Sequence, residues 1–453
     1  MNIKEAFKTK IEKESPNVNI FPISTSFDKE GRLVVGGCLL SDLASRYETP
    51  LYVLDEDTLR ASCRAYKTSL DKYYPGESLP IYASKANSSL FMTKFVTSEG
   101  FGIDVVSEGE LLTALKGGAI GKRIVFHGNN KSLKELELAI ENDVTIIIDN
   151  QLDIERLINI SSYRKSQINL MVRFTPGIEC HTHEYIKTGS IDSKFGFNLI
   201  DLEKLFIDLK SYPLLNLIGL HAHIGSQIFE TEPHNDLVKI MIDVFSLGRE
   251  LGHDLKDLNV GGGLGVKYTN EDTPPTIQSW IKVISNSIVE TCKNKNMNLP
   301  RLMCEPGRSI VATSGITLYQ LGSQKDILGL KRYLSVDGGM SDNPRPITYQ
   351  SSYSACLADQ PLEESINEYT IAGKHCESGD ILLKKIELPE FKRDEILVVF
   401  GTGAYNYSMS SNYNRIPKPA AVLVKNKLSE LIQRRERPEE LLKFDLIPDR
   451  FLA

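Results

Sequence analysis

A chain of 453 residues exceeds one ordinary hydrophobic core, so two or three domains are expected. With 41% apolar residues, 25% charged residues and a net charge of −6, the composition is that of a soluble globular protein and speaks against a nucleic-acid surface. Seven cysteines without a C-x-x-C pair give neither a disulfide framework nor a zinc pattern, and reduced thiols in a cytoplasmic protein are expected.

In chain order, the opening "MNIKEAFKTKIEKESPN" is charged and carries no apolar core, so no secretory signal is expected. No apolar run approaches the roughly 18 residues of a membrane-spanning helix, and no membrane partner is expected. Residues 1–49 read as an N-terminal segment that packs partly with a later β domain. From 50 to 315 short β-rich runs alternate with segments of helical period. The strand candidates are "LPIYASKAN", "FGIDVVS", "RIVFHGN", "VTIIIDN", "INLMVRFTP", "LIGLHAHIGS", "LNVGGG" and "RLMCEPGR". Most are continuously apolar, as parallel strands covered on both faces should be.

Between them, Leu237, Ile240, Met241 and Val244 form one helical stripe, and Leu133, Leu136 and Ile140 another, with Ser132 placed to cap it. Eight β-α units predict a (β/α)8 barrel, with a doubly wound open sheet as the alternative. From 316 to 453 the runs "GITLYQLGS", "YLSVDGG", "DILLKKIELP" and "ILVVFGTG" read as a β domain. The end, "NKLSELIQRRERPEELLKF", reads as a surface helix.

In a barrel the active site lies at the C-terminal ends of the strands. Chemically useful residues fall there: Lys85, Asp104 and Ser107, His127, Arg173, His221 and His223, Gly261 to Gly263, and Glu305 to Arg308. A lysine at a strand end is either a snorkelling surface residue or a Schiff-base nucleophile. The glycine turns "NVGGGLG" and "EPGR" follow strands seven and eight, where barrels often bind phosphate. Together with Lys85 they point to pyridoxal phosphate, whose ring nitrogen needs a carboxylate such as Glu305 to stay protonated. Two rival readings stay open: Glu305 as an ordinary partner of Arg308, and zinc held by His221 and His223, with "HTH" (His181 to His183) adding ligands.

The motifs "YASKAN", "HIGSQ", "GGGLG", "EPGR", "DGGMSDNPRP", "CESGD" and "GAYNYSMSSNYN" occur in the order seen in diaminopimelate decarboxylases, and from about residue 35 to 425 the chain resembles that family. The resemblance implies an alanine racemase-like, fold-type III architecture. It also implies a pyridoxal 5'-phosphate-dependent carboxy-lyase acting on meso-2,6-diaminopimelate, and a homodimer with shared active sites.

By the same resemblance, Lys85 forms the Schiff base, His223 stacks on the ring, and Glu305 pairs with its nitrogen. Ser226, Gly261, Gly262, Gly263, Gly307, Arg308 and Tyr405 hold the phosphate. Arg308, Arg345, Tyr349 and Tyr405 contact substrate, Glu377 recognises its amino group, and Cys376 donates a proton from the partner subunit. No metal is implied. The chain departs from many relatives at "AGKH", where they carry a proline before the cysteine, and in its longer opening segment. A decarboxylase of another amino acid, a D-amino acid or a carboxylated polyamine precursor, is the alternative activity. A non-enzymatic homologue is the third reading, and Lys85, Glu305 and Cys376 speak against it.

Overall fold

The computed structural model describes residues 3–178 and 193–452. All eight expected barrel strands form: β1 (Ser78–Ala83), β2 (Gly102–Val105), β3 (Ile124–Phe126), β4 (Thr145–Ile148), β5 (Ile168–Thr175), β6 (Leu215–His221), β7 (Asp257–Asn259) and β8 (Arg301–Cys304). Each pairs in parallel with its neighbours. Cys304 lies opposite Pro80 where β8 meets β1, and Ile146 lies opposite Leu170 where β4 meets β5, so the sheet closes. Closure excludes the open-sheet alternative.

The strands are apolar on both faces because they have two cores to fill. Leu79, Ile81, Val125, Ile147, Met171 and Met303 form a small cluster of their own, while residues of the opposite parity, such as Tyr82, Ile103, Phe126 and Ile146, join the larger cluster with the helices. Helix Glu232–Glu250 buries Leu237, Met241 and Val244 and half-buries Ile240. Helix Leu133–Glu141 starts with a full capping box, in which Ser132 and Glu135 satisfy each other's backbone N–H groups.

The second unit is a mixed sheet of β9 (Gly315–Ile327), β10 (Lys331–Val336), β11 (Ala355–Leu357), β12 (Asn367–Ala372), β13 (Ile381–Leu388), β14 (Ile396–Phe400), β15 (Ala420–Lys425) and β16 (Leu428–Gln433). The strand Leu51–Asp55, just past residue 50, also belongs to this sheet, lying between β9 and β15. Its side chains Leu51 and Val53 share a core with Ile20, Phe21, Leu33, Val35, Val398 and Val422, which ties the N-terminal segment to the β unit. No helix among the described residues is long and apolar enough to cross a membrane.

The chain end differs from the helix expected there. Leu428–Gln433 pairs antiparallel with Ala420–Lys425, and two short 3-10 turns, Pro438–Leu442 and Asp449–Phe451, follow. Asn426 and Lys427 both take positive φ, 49° and 68°, as a two-residue hairpin turn requires. Pairing against β15 therefore overrides the helical propensity of this polar stretch.

Candidate active site

A cavity of about 630 Å³ opens at the C-terminal ends of the barrel strands. Its wall carries Lys85 from the end of β1, Asp104 from β2, His127 just beyond β3, Arg173 from β5, and His221 and His223 at the end of β6. Gly262 and Gly263 follow β7, and Glu305, Gly307 and Arg308 follow β8. The second unit contributes Arg345, Tyr349 and Tyr405. Ser226 lines the same space. Residues hundreds of positions apart thus meet at one mouth. Ser107, counted with the strand ends in the sequence, instead caps helix Glu108–Lys116.

Glu305 is the most heavily engaged group. Its Oε1 accepts hydrogen bonds from His127 Nε2 at 2.8 Å and Asn259 Nδ2 at 2.7 Å, and its Oε2 faces His221 Nε2 at 3.2 Å. Burial opposes its charge, but His127 and His221 outweigh that and hold the carboxyl well below its usual range. Burial drives His221 down to about 3, so its imidazole is a neutral donor at neutral pH. Glu305 is not the partner of Arg308, whose guanidinium bonds Tyr268 Oη at 2.8 Å and Ser226 Oγ at 2.9 Å.

The zinc reading meets the same network. Ligand atoms of His127, His221 and Glu305 lie within 4.8 Å of one another, a spacing a metal could use, yet each histidine Nε2 is directed at a Glu305 oxygen. His223 is not in that trio: its Nδ1 accepts from Gly262 N–H at 3.2 Å. His181 to His183 lie outside the described residues.

Lys85 is reachable from the cavity yet ringed by protein. Burial would depress its ammonium, but Asp104, then Tyr405 and Glu305, raise it above its ordinary value. His223 is pushed well below its usual value by burial, and by Lys85 and Arg173 nearby, so it presents a neutral ring to the cavity.

The glycine turn is an obligate close approach. A Cβ on Gly262 would sit 2.3 Å from the Glu305 carbonyl oxygen, and one on Gly263, at φ 116°, 2.7 Å from that of Gly225. Gly261, at φ 66°, gives its N–H to Asn259 Oδ1 at 3.0 Å. Gly307 is equally constrained: its Cβ would meet those of Ala83 and Ala86 at 2.9 and 3.0 Å. Tyr405 also takes positive φ, 64°, and its N–H reaches the Ala86 carbonyl at 2.7 Å, which pins the "GAY" turn beside Lys85.

Two buried guanidiniums on the cavity wall share one aromatic ring, that of Tyr268. Arg345 donates to Tyr353 Oη at 2.6 Å and lies 4.9 Å from the Tyr268 ring, while Arg308 lies over Tyr405 at 4.7 Å. This makes one end of the cavity strongly cationic. Cys376 and Glu377 are not there: both are exposed on the loop after β12, outside the cavity wall of this chain.

Asn259, Tyr268 and Tyr353 were missed in the sequence. Asn259 left a signal, a polar residue closing an apolar strand before three glycines. Tyr268 and Tyr353 left none, because an aromatic residue in a loop is ordinary.

Residues 56–312 match the family profile described as pyridoxal-dependent decarboxylase, pyridoxal binding domain. A diaminopimelate decarboxylase of Synechocystis sp. is 48% identical over 97% of this chain and 95% of its own, and one of Bacillus subtilis is 41% identical over 92% and 96%. The crystal structure of diaminopimelate decarboxylase from M. jannaschi superposes with a TM-score of 0.89 at 30% identity, covering 95% of this chain and 99% of that one. The Helicobacter pylori enzyme complexed with L-lysine gives a TM-score of 0.83 at 31% identity, covering 89% and 98%. The chain belongs to the diaminopimelate decarboxylase family of pyridoxal-dependent decarboxylases.

Proposed function

We propose that the cavity at the barrel mouth carries out the reaction of this family, removal of CO2 from meso-2,6-diaminopimelate to give L-lysine, with pyridoxal 5'-phosphate as cofactor. The observation that carries the reading is the pairing, in one cavity, of Lys85 with a Glu305 carboxylate that is hydrogen-bonded by two histidines and an asparagine. The residues fit the cofactor. A lysine amine, a buried carboxylate on the cavity wall, a neutral imidazole, and two glycine turns that admit no side chain are the donor set it needs. Lys85 would hold it covalently, His223 would lie against its ring, and Glu305 would keep the ring nitrogen protonated. The turns at Gly261 to Gly263 and Gly307 to Arg308, with Ser226 and Tyr405, would hold its phosphate. When bound, the cofactor supplies a cationic ring that draws electrons from the bond to the departing carboxylate.

The remaining work falls to the chain's own side chains. Arg308, Arg345 and Tyr349 would hold substrate carboxylates, which suits the cationic end of the cavity. Ornithine or lysine lacks the distal carboxylate and would leave a buried guanidinium without its anion, a costly state in a dry site. Glu377 would bind an amino group, and Cys376 would return a proton to the carbon that lost CO2. Both stand exposed outside this chain's own cavity, which supports a homodimer in which each subunit's loop completes the other's site. Cytoplasmic location follows from the same biosynthetic reading.

The test is CO2 release with added pyridoxal phosphate, comparing meso-diaminopimelate with L-lysine, L-ornithine, L-arginine and D-lysine. Turnover of meso-diaminopimelate alone, with L-lysine as product, is expected. Turnover of another of these amino acids in its place overturns the substrate assignment.

A further inference from the structure

The loop that carries Cys376 and Glu377 and the segment that leads into Arg345 meet at one buried carboxylate. The first follows β12 and the second follows β10. Asp380 Oδ1 accepts from the Met340 N–H at 2.7 Å; its Oδ2 accepts from the His375 N–H at 3.1 Å and from His375 Nδ1 at 2.7 Å. Both side chains are essentially out of solvent, 0% exposed for His375 and 2% for Asp380.

This approach is built into the backbone. A Cβ on Gly339 would lie 2.5 Å from the Asp380 carboxylate, and one on Gly373 would lie 2.0 Å from it. Either would expel the carboxylate. The two segments are also joined by the Lys374 N–H to the Gly338 carbonyl at 2.9 Å, and the Cys376 N–H is held by Asn414 Oδ1 at 2.9 Å. The His375 ring stacks against Tyr413 at 6.0 Å, and its buried Nε2 has no hydrogen-bond partner among the described residues. Burying an imidazole with one nitrogen unused is unfavourable, and an ordinary loop residue would have avoided it. The bond from Nδ1 to Asp380 is the contact that offsets this cost.

We propose that His375 and Asp380 are positioning residues for proton return: they lock the loop bearing Cys376 and Glu377 to the segment that leads into Arg345. The proposal rests on the assignment of Cys376 as proton donor. Neither residue lines the cavity, so both act through the loop. His375 directly precedes the "CESGD" motif, and Asp380 closes it, so the two halves of the lock flank Cys376 and Glu377.

The test uses the full chain with pyridoxal phosphate and compares His375→Leu, His375→Gln and His375→Asn with Cys376→Ala. Asparagine places an amide nitrogen where imidazole Nδ1 sits, leucine fills the space without a donor, and glutamine places its donor too far along the side chain. In the leucine and glutamine variants, kcat should fall by about tenfold to a hundredfold, the cost of misplacing a reacting group by about an ångström. The bound-cofactor absorbance should stay within about twofold of the parent, because the Asp380 to Met340 bond that anchors the Arg345 segment survives. KM should rise alongside the loss of kcat, because Glu377 rides on the same loop. The asparagine variant should recover most of kcat. Parent-like kcat in both leucine and glutamine variants, or no recovery with asparagine, overturns the proposal. So does a fall in cofactor occupancy and Tm that parallels kcat. If Cys376→Ala turns over like the parent, the donor assignment fails and takes this inference with it; if Cys376→Ala is inactive while the histidine variants are unaffected, the inference alone fails.

Discussion

The barrel mouth and the loop after β12 make an instructive pair. At the mouth, Glu305, His127, His221 and Asn259 close a hydrogen-bonded network within one chain, and Lys85 faces the same space. The loop also carries residues suited to chemistry, but Cys376 and Glu377 point to the exterior while His375 and Asp380 beneath them are buried. A rigid support under an exposed thiol and carboxylate is what a residue delivered to another subunit requires. In the proposed reading, the cofactor half of the site stands within one chain, and the proton-return half is lent to a partner subunit.

The sharpest way to break this comparison is to damage each half separately and mix the products. Lys85→Ala should abolish both the bound-cofactor absorbance and turnover, and Cys376→Ala should keep the absorbance and lose turnover. After subunit exchange, mixed dimers hold one site with both lesions and one with neither, so equal mixing should restore about a quarter of the parent rate. No recovery after exchange has been verified by native mass spectrometry would show that Cys376 serves its own chain. An unchanged rate in Lys85→Ala would remove the mechanism altogether.

A smaller effect is expected at the cationic end of the mouth. If Arg345 holds a substrate carboxylate as proposed, Arg345→Ala would remove two charge-assisted hydrogen bonds, together about 3 kcal/mol, so KM for meso-diaminopimelate should rise roughly a hundredfold while cofactor binding stays unchanged. A fall in kcat at constant KM would assign Arg345 to the chemical step instead.

The smallest effect concerns the support under the loop. Asp342 is buried beside this network, accepts from the Gly339 N–H at 2.8 Å and bonds Tyr319 Oη. Burial pushes its carboxyl up to about 7. The folded state thus keeps a proton that the unfolded chain releases above about pH 4. The stability from this group is fully present below that pH and is lost as pH rises to about 7. Asp342→Asn should flatten the fall in Tm between pH 4 and 7 relative to the parent, read by thermal melts across that range. A steeper fall in the variant would mean that the carboxyl is ionised in the folded state.

Much of the barrel was legible because a strand covered on both faces must be apolar throughout, and all eight such runs became strands. The strand-end rule then placed Lys85, His223, Glu305 and Arg308 on one wall before any contact was known. The chain end was misread because charges spaced as in "LSELIQRRERPEELL" suit a helix and an edge strand alike. Only the hairpin turn at Asn426 and Lys427, with β15 as a ready partner, decided between them.

By itself the sequence determined the β-α alternation, the glycine turns and the motif order, and with them the family and its cofactor chemistry, since these depend on local periodicity and on residues near one another in the chain. Tertiary structure alone decided that Glu305 is clasped by His127, His221 and Asn259 instead of Arg308. It also decided that the Gly261 N–H is taken by Asn259 and that His375 reaches Asp380. Those bonds join groups brought together by barrel closure and by two loops crossing, and no local pattern records which donor a buried carboxylate will find.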